Sequence, residues 1–137
     1  AESIEEGTCV VLHCSHGWDR TAQVSSLATI LLDERARTIE GLCRVIQMSW
    51  CNFGHKFSDR CGSRSTSSAS SVSSSAREES PIFVQFLDAC WQILRQHPKL
   101  FEYTELLLLL LADSAHNGAH TTLAANNDAD RARLSGP

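Results

Sequence analysis

The spacing of apolar residues changes along the chain. Cys9-Val10-Val11-Leu12 is a short, β-prone run, and the pattern predicts a central strand over residues 8–13. Ala22, Leu27, Ile30 and Leu31 then recur at helical spacing, predicting a helix over 19–36. A second helix is predicted from Thr38 to Cys51, with Ile39, Leu42, Val45, Ile46 and Trp50 on one face. Gly54 ends that pattern and opens a basic segment. Residues 62–79 are serine-rich and of low complexity, as expected of a solvated, flexible insertion. Ser80-Pro81 reads as an N-cap followed by proline at the first helical position. The helix it opens is apolar on nearly all sides (Phe83, Phe86, Leu87, Trp91, Ile93, Leu94) and is expected to be buried until Pro98 stops it. A further helix is predicted from Phe101 to Asp113. Its run from Leu106 to Ala112 is too short to span a bilayer and is expected to be buried. Residues 114–137 read as a small, polar tail without legible chemistry.

The junction of strand and helix holds the chemistry. Residues 13–21 read His13-Cys14-Ser15-His16-Gly17-Trp18-Asp19-Arg20-Thr21, with five residues between a cysteine and an arginine. A short loop there turns successive backbone N–H groups inward as a nest for an anion, and the helix adds its positive end. Cys14 at the base is pushed toward thiolate, the form that attacks phosphorus. Arg20 on the first helical turn can return a planar fork to two phosphoryl oxygens. The competing readings are a buried structural cysteine and a surface arginine. Trp18 either packs under the loop or walls the pocket. Thr21 most simply supports the first turn, Asp19 could be only a carboxylate near the helix dipole, and Lys56 and Arg60 could be an ordinary solvated pair. His13 is expected to organise the cysteine rather than to catalyse. Cys9, His13, Cys14 and His16 cluster closely, but neighbouring residues of a strand point to opposite faces, so no metal site is expected.

The string HCSHGWDRTAQVSSLATILLDERARTIEGL resembles the signature of the myotubularin family, lipid phosphatases of the cysteine-dependent superfamily. Further matching blocks follow in order: W-C-N-F-G-H-K-F from Trp50, S-P-I-F-V-Q-F-L-D-A-C-W-Q from Ser80, and Q-H-P-K-L-F-E-Y from Gln96. The Sac-type phosphoinositide phosphatases share C-x5-R-T but lack the Gly-Trp before Asp-Arg and these later blocks. The resemblance implies an α/β fold: a cysteine-phosphatase-like fragment with a central strand and P-loop, followed by a mostly helical C-terminal half. Residues 1–113 are then expected to be the C-terminal part of a phosphatase domain, whose N-terminal half and PH-GRAM module lie outside this chain.

The resemblance also assigns roles. It makes Cys14, Asp19 and Arg20 catalytic, with Asp19 the acid that protonates the leaving inositol oxygen. Ser15, His16, Gly17, Trp18 and Thr21 would line the substrate, Thr21 also donating to the sulfur. Lys56 and Arg60 match basic positions that in this family contact a second phosphate on the inositol ring. One departure stands out: His16 occupies a position where myotubularins typically have aspartate. An imidazole there is expected to favour phosphate and thiolate, or else to disturb the attacking water.

The implied activity is removal of the 3-phosphate from phosphatidylinositol 3-phosphate and its 3,5-bisphosphate, without a cofactor. The alternatives are a phosphoinositide-binding pseudophosphatase scaffold and a protein tyrosine phosphatase. The implied setting is cytoplasmic and peripheral on endosomal membranes, bound to a phosphoinositide headgroup, with room for homo- or hetero-oligomers among myotubularins. The formal charge of −4 argues against a nucleic-acid partner. For an anionic lipid the local field at the loop matters more than the total. With no secretory segment read, the six cysteines are expected to be reduced.

Overall fold

The computed structural model describes residues 6–62 and 79–136. Helix α1 runs Arg20–Leu32 and leads through a 3₁₀ turn, Glu34–Arg37, into α2, Ile39–Ile46. A π-turn, Gln47–Cys51, continues α2, and the short α3 follows at Phe57–Cys61. After the break come α4 (Ile82–Gln96), a 3₁₀ turn (Pro98–Leu100), α5 (Glu105–Asn117), α6 (Thr121–Ala124) and α7 (Asp128–Ser135). Helix α4 packs between α1 and α5, while α6 joins α3, α5 and α7.

The expected α/β fold with a central strand is not what forms: no strand occurs among the described residues. Residues 8–13 are irregular, and Val10, Val11 and Leu12 are all exposed, Val11 to 87%. A strand exists only through the ladder it makes with a neighbour, and no described segment pairs with this one. The β-propensity of two valines does not replace those bonds.

The helices follow their sequence signals more closely. Thr38 caps α2 by accepting from the Gly41 N–H at 3.0 Å, while the Glu102 carboxylate accepts from the Ile39 N–H at 2.8 Å. Both supply acceptors at the end where a helix leaves its N–H groups unpaired. Arg37 does the converse for α1, donating to the carbonyls of Ile30 and Leu31 at 2.9 and 2.8 Å. Gly41 is required by proximity, since a Cβ there would collide with the Arg35 carbonyl.

Other expectations shift. Pro81 rather than Ser80 occupies the cap of α4, and no side chain caps it. Helix α4 buries one face, Phe83, Phe86, Leu87 and Cys90, rather than all sides. Helix α5 starts at Glu105, after the extended cap residue Thr104, not at Phe101. Its leucine run is not buried throughout: Leu108 is inside, whereas Leu106, Leu109 and Leu110 are exposed. The tail expected to be polar carries α6 and α7, and Leu123 and Ala125 are buried. Asn126 in that tail pairs twice with Asp59 of α3, at 2.8 and 3.2 Å. The serine-rich segment lies outside the described residues from 63 to 78.

The core is centred on Trp50, which has no exposed surface. Its ring meets His55 and Phe83 edge-on at 4.8 and 5.1 Å and lies tilted against Phe86 at 5.1 Å. Phe57 closes the group, edge-on to both His55 and Phe83. Such edge-to-face pairs add to the large area that an aromatic ring buries. The indole N–H donates to the hydroxyl of Ser26 at 3.0 Å, tying α2 to α1 inside the core.

A buried donor left without its partner costs about 1–3 kcal/mol. Ser26→Ala should therefore lower stability by about that much, and Trp50→Phe by rather more because of the lost ring area. In the Trp50→Phe background, however, Ser26→Ala should cost clearly less than in wild type, since the indole donor is already gone. Thermal or urea denaturation of the two single variants and the double variant measures this coupling. Strict additivity would mean that the bond contributes nothing.

Candidate active site

Residues 14–19 form the loop into α1. Gly17 has φ of +85°, a left-handed conformation in which any side chain would be strained, and its N–H donates to Cys14 Sγ at 3.3 Å. The thiol is lowered from 9.0 to about 6 by the Thr21 hydroxyl first, then by the N–H groups of His16 and Thr21 and, least, of Gly17, against an opposing effect of burial. Hydrogen bonds to the charged form favour it, and several converge on this sulfur. The Thr21 hydroxyl is buried and lacks a partner in strict hydrogen-bond geometry. It lies near enough to act on the thiol, and an anionic sulfur would draw it in.

Three other cysteines move the opposite way. Burial raises Cys51 and Cys61 and pushes Cys90 up to about 12. Cys14 is set apart by the donors that Thr21 on α1 and the loop N–H groups direct at it.

Cys14, Ser15, Arg20 and Thr21, with Leu12, His13 and Val24, line an open depression of about 510 Å³. Arg20 is exposed on the first turn of α1, and its Nη2 lies 3.5 Å from Ser15 Oγ. Cys14 and Arg20 therefore line a common space, together with Ser15 and Thr21, whereas His16, Gly17 and Trp18, also expected to line the substrate, do not line this depression. A cavity of similar size, about 490 Å³, opens beside the first 3₁₀ turn and α2, lined by Arg35, Thr38, Arg44 and Met48 among others. It contains no group of the loop, so chemistry rather than volume marks the site.

The remaining candidates gather on the side of the loop that faces α3. Asp19 is the N-cap residue of α1 but makes no side-chain cap bond. Its Oδ1 lies 2.9 Å from His55 Nδ1, and its Oδ2 accepts from Arg60 Nη2 and Nε at 3.0 and 3.3 Å. Lys56 Nζ sits 5.2 Å from the Trp18 ring centre and 3.8 Å from Asp59. The His16 imidazole stacks on Trp18, 4.9 Å between centres. His16 thus acts on Cys14 through its backbone N–H, while its ring rests on the indole rather than on the sulfur. Arg60, expected to await a second phosphate, holds Asp19.

His55 escaped the sequence reading. It is fully buried against Trp50 and Phe57, and its Nδ1 also lies 3.0 Å from the Trp18 carbonyl. The available signal was a histidine set between aromatic residues in W-C-N-F-G-H-K-F, where a polar ring in a core needs a partner.

Residues 1–132 match the family profile described as the Myotubularin-like phosphatase domain. The chain belongs to the myotubularin family. It is similar to the phosphatidylinositol-3,5-bisphosphate 3-phosphatase MTMR6 of Caenorhabditis elegans, with 43% identity over 98% of this chain and 19% of that protein. It is 45% identical to the phosphatidylinositol-3,5-bisphosphate 3-phosphatase mtm-1 of the same organism, over 90% of this chain and 20% of the relative. For the human phosphatidylinositol-3,5-bisphosphate 3-phosphatase MTMR4 the values are 42%, 92% and 10%. The chain thus spans about a fifth or less of the length of these myotubularins. No described helix is long and apolar enough to cross a membrane.

The lowered thiol gives a direct test. Alkylation of Cys14 should rise with pH to a half-maximum near pH 6, because the thiolate is the reacting form. Thr21→Ala should move that midpoint up toward the ordinary thiol range, and Thr21→Ser should largely restore it. An unchanged midpoint in Thr21→Ala would show that the hydroxyl does not serve the sulfur.

Proposed function

We propose that this chain carries the catalytic centre of a phosphoinositide 3-phosphatase acting on phosphatidylinositol 3-phosphate and its 3,5-bisphosphate. The observation that carries the reading is the Cys14 thiol, lowered to about 6 by Thr21 on the first turn of α1 and by the loop N–H groups, and sharing one depression with Arg20. The names of the similar myotubularins supply the lipid class, and Lys56 beside Trp18 supports contact with a headgroup bearing a further phosphate.

In this mechanism the Cys14 thiolate attacks the 3-phosphoryl group in line. The S–P bond forms as the bond from phosphorus to the inositol oxygen breaks. Arg20 and the loop N–H groups hold the equatorial oxygens, where charge is concentrated in the transition state. Asp19 in its acid form, with the proton on Oδ2 and Oδ1 accepting from His55 Nδ1–H, gives that proton to the departing inositol oxygen, which would otherwise leave as a poor alkoxide. Water then attacks phosphorus and gives a proton to the Asp19 carboxylate, the S–P bond breaks, and inorganic phosphate leaves with Cys14 again a thiolate and Asp19 again an acid. A thiolate, a guanidinium and a carboxyl acid complete this cycle without a metal or organic cofactor. The substrate is a membrane lipid, so the protein works peripherally on membranes, endosomal ones by its family resemblance.

Phosphate release from a panel of phosphoinositide isomers by the full-length protein tests the reading. Only lipids carrying a 3-phosphate should turn over, and Cys14→Ser should abolish release because a serine hydroxyl is scarcely ionised here. Arg20→Lys should lose roughly 10²-fold or more, since a point charge does not reproduce the planar fork. Lys56→Gln should penalise the 3,5-bisphosphate more than the 3-monophosphate. Robust turnover by Cys14→Ser would sink the mechanism. Hydrolysis of phosphotyrosine peptides in preference to every lipid would move the protein to another substrate class.

A further inference from the structure

The pair formed by the half-buried Asp19 and the buried His55 has an alternative that the fold must prevent. An aspartate at an N-cap ordinarily turns its carboxylate onto the N–H groups two and three residues ahead, here those of Thr21 and Ala22. The Thr21 N–H is already one of the donors that serve Cys14. A carboxylate collapsed onto the first turn of α1 would compete for that donor and bring negative charge toward the nucleophile. Asp19 instead makes no cap bond and is drawn toward α3, one oxygen on His55 and the other on Arg60.

His55 is built to do this. Its Nδ1 faces two acceptors, Asp19 Oδ1 at 2.9 Å and the Trp18 carbonyl at 3.0 Å, so this nitrogen carries the proton. Burial is the largest influence on the ring and lowers its pKa, keeping it a neutral donor. The ring is fixed edge-on between Trp50 and Phe57, which leaves Nε2 buried without a partner. The imidazole therefore has one orientation, and the aromatic core sets it.

We propose that His55 is a positioning residue whose Nδ1–H holds the Asp19 carboxyl off the first turn of α1, keeping the acid and the nucleophile each with its own donors. The inference rests on the reading of Asp19 as the acid that protonates the leaving group. It adds a supporting residue from outside the Cys14-to-Arg20 loop and links the Trp50 core to the site through Asp19.

Two substitutions separate positioning from packing. The amide nitrogen of asparagine reaches the place of Nδ1, whereas that of glutamine reaches the place of Nε2. The full-length protein is assayed on phosphatidylinositol 3-phosphate, whose inositol oxygen needs a proton, and on p-nitrophenyl phosphate, whose leaving group hardly does. His55→Gln should lose about 10- to 10²-fold on the lipid, the cost of a misplaced catalytic group, with the aryl phosphate changed far less. His55→Asn should keep most of the wild-type ratio between the two substrates, even if its stability falls. Asp19→Asn serves as the reference and should show the same split, at roughly 10²–10⁴-fold on the lipid.

A split in Asp19→Asn without one in His55→Gln overturns the inference alone. Equal losses on both substrates in Asp19→Asn overturn the acid reading and the inference with it. If His55→Gln fails to fold, His55→Asn decides: a retained ratio supports positioning, and a collapsed ratio overturns it.

Discussion

The indole of Trp50 is the constraint on which the rest depends. Its N–H is committed to Ser26 on α1, its faces and edges to Phe83 and Phe86 on α4, and one side to His55 before α3. Helix α4 and the segment from Trp50 to His55 are thereby fixed relative to α1, the helix that begins at the loop. A bulky ring with one polar atom is suited to this: it excludes water from the junction and, through the directional bond to Ser26, sets how deep it sits. Gln23 repeats the link near the surface, donating to the Ile82 carbonyl at 2.9 Å.

Function follows from how that rigidity reaches the loop. On one side, backbone N–H groups and Thr21 act on Cys14, so the thiol of the proposed nucleophile is lowered by local donors rather than by a neighbouring cation. On the other side, His55 and Arg60 take the Asp19 carboxylate. The formal charge of −4 says little about such a site. Around the loop Arg60 is paired with Asp19 and Lys56 lies 3.8 Å from Asp59, while Arg20 lines the depression with Cys14, so the arrangement of charges at short range counts for more than the total.

Much of the helical part was legible because it rests on periodicity and local punctuation. Thr38 capping α2 and Pro98 following the end of α4 are features of a few adjacent residues. The strand was not legible, because the character of Val10 and Val11 says nothing about whether a neighbour is there to pair with them. The leucine run of α5 misled in another way: six consecutive leucines hide which face is turned inward, and contacts with α4 and α6 decide it. At the site, the spacing of Cys14 and Arg20 exposed the loop at once. The partnership of Asp19 with His55 and Arg60 did not show, since it joins residues 36 and 41 positions apart through the fold.

The central claim is that Cys14 becomes covalently bound to phosphorus. Rapid acid quenching of the full-length protein during turnover of radiolabelled phosphatidylinositol 3-phosphate, followed by peptide mapping, measures this directly. The account predicts label on the peptide containing Cys14, appearing before the steady state, absent from Cys14→Ser and lost as free phosphate is released. Full turnover with no label on that peptide at any quench time would contradict it.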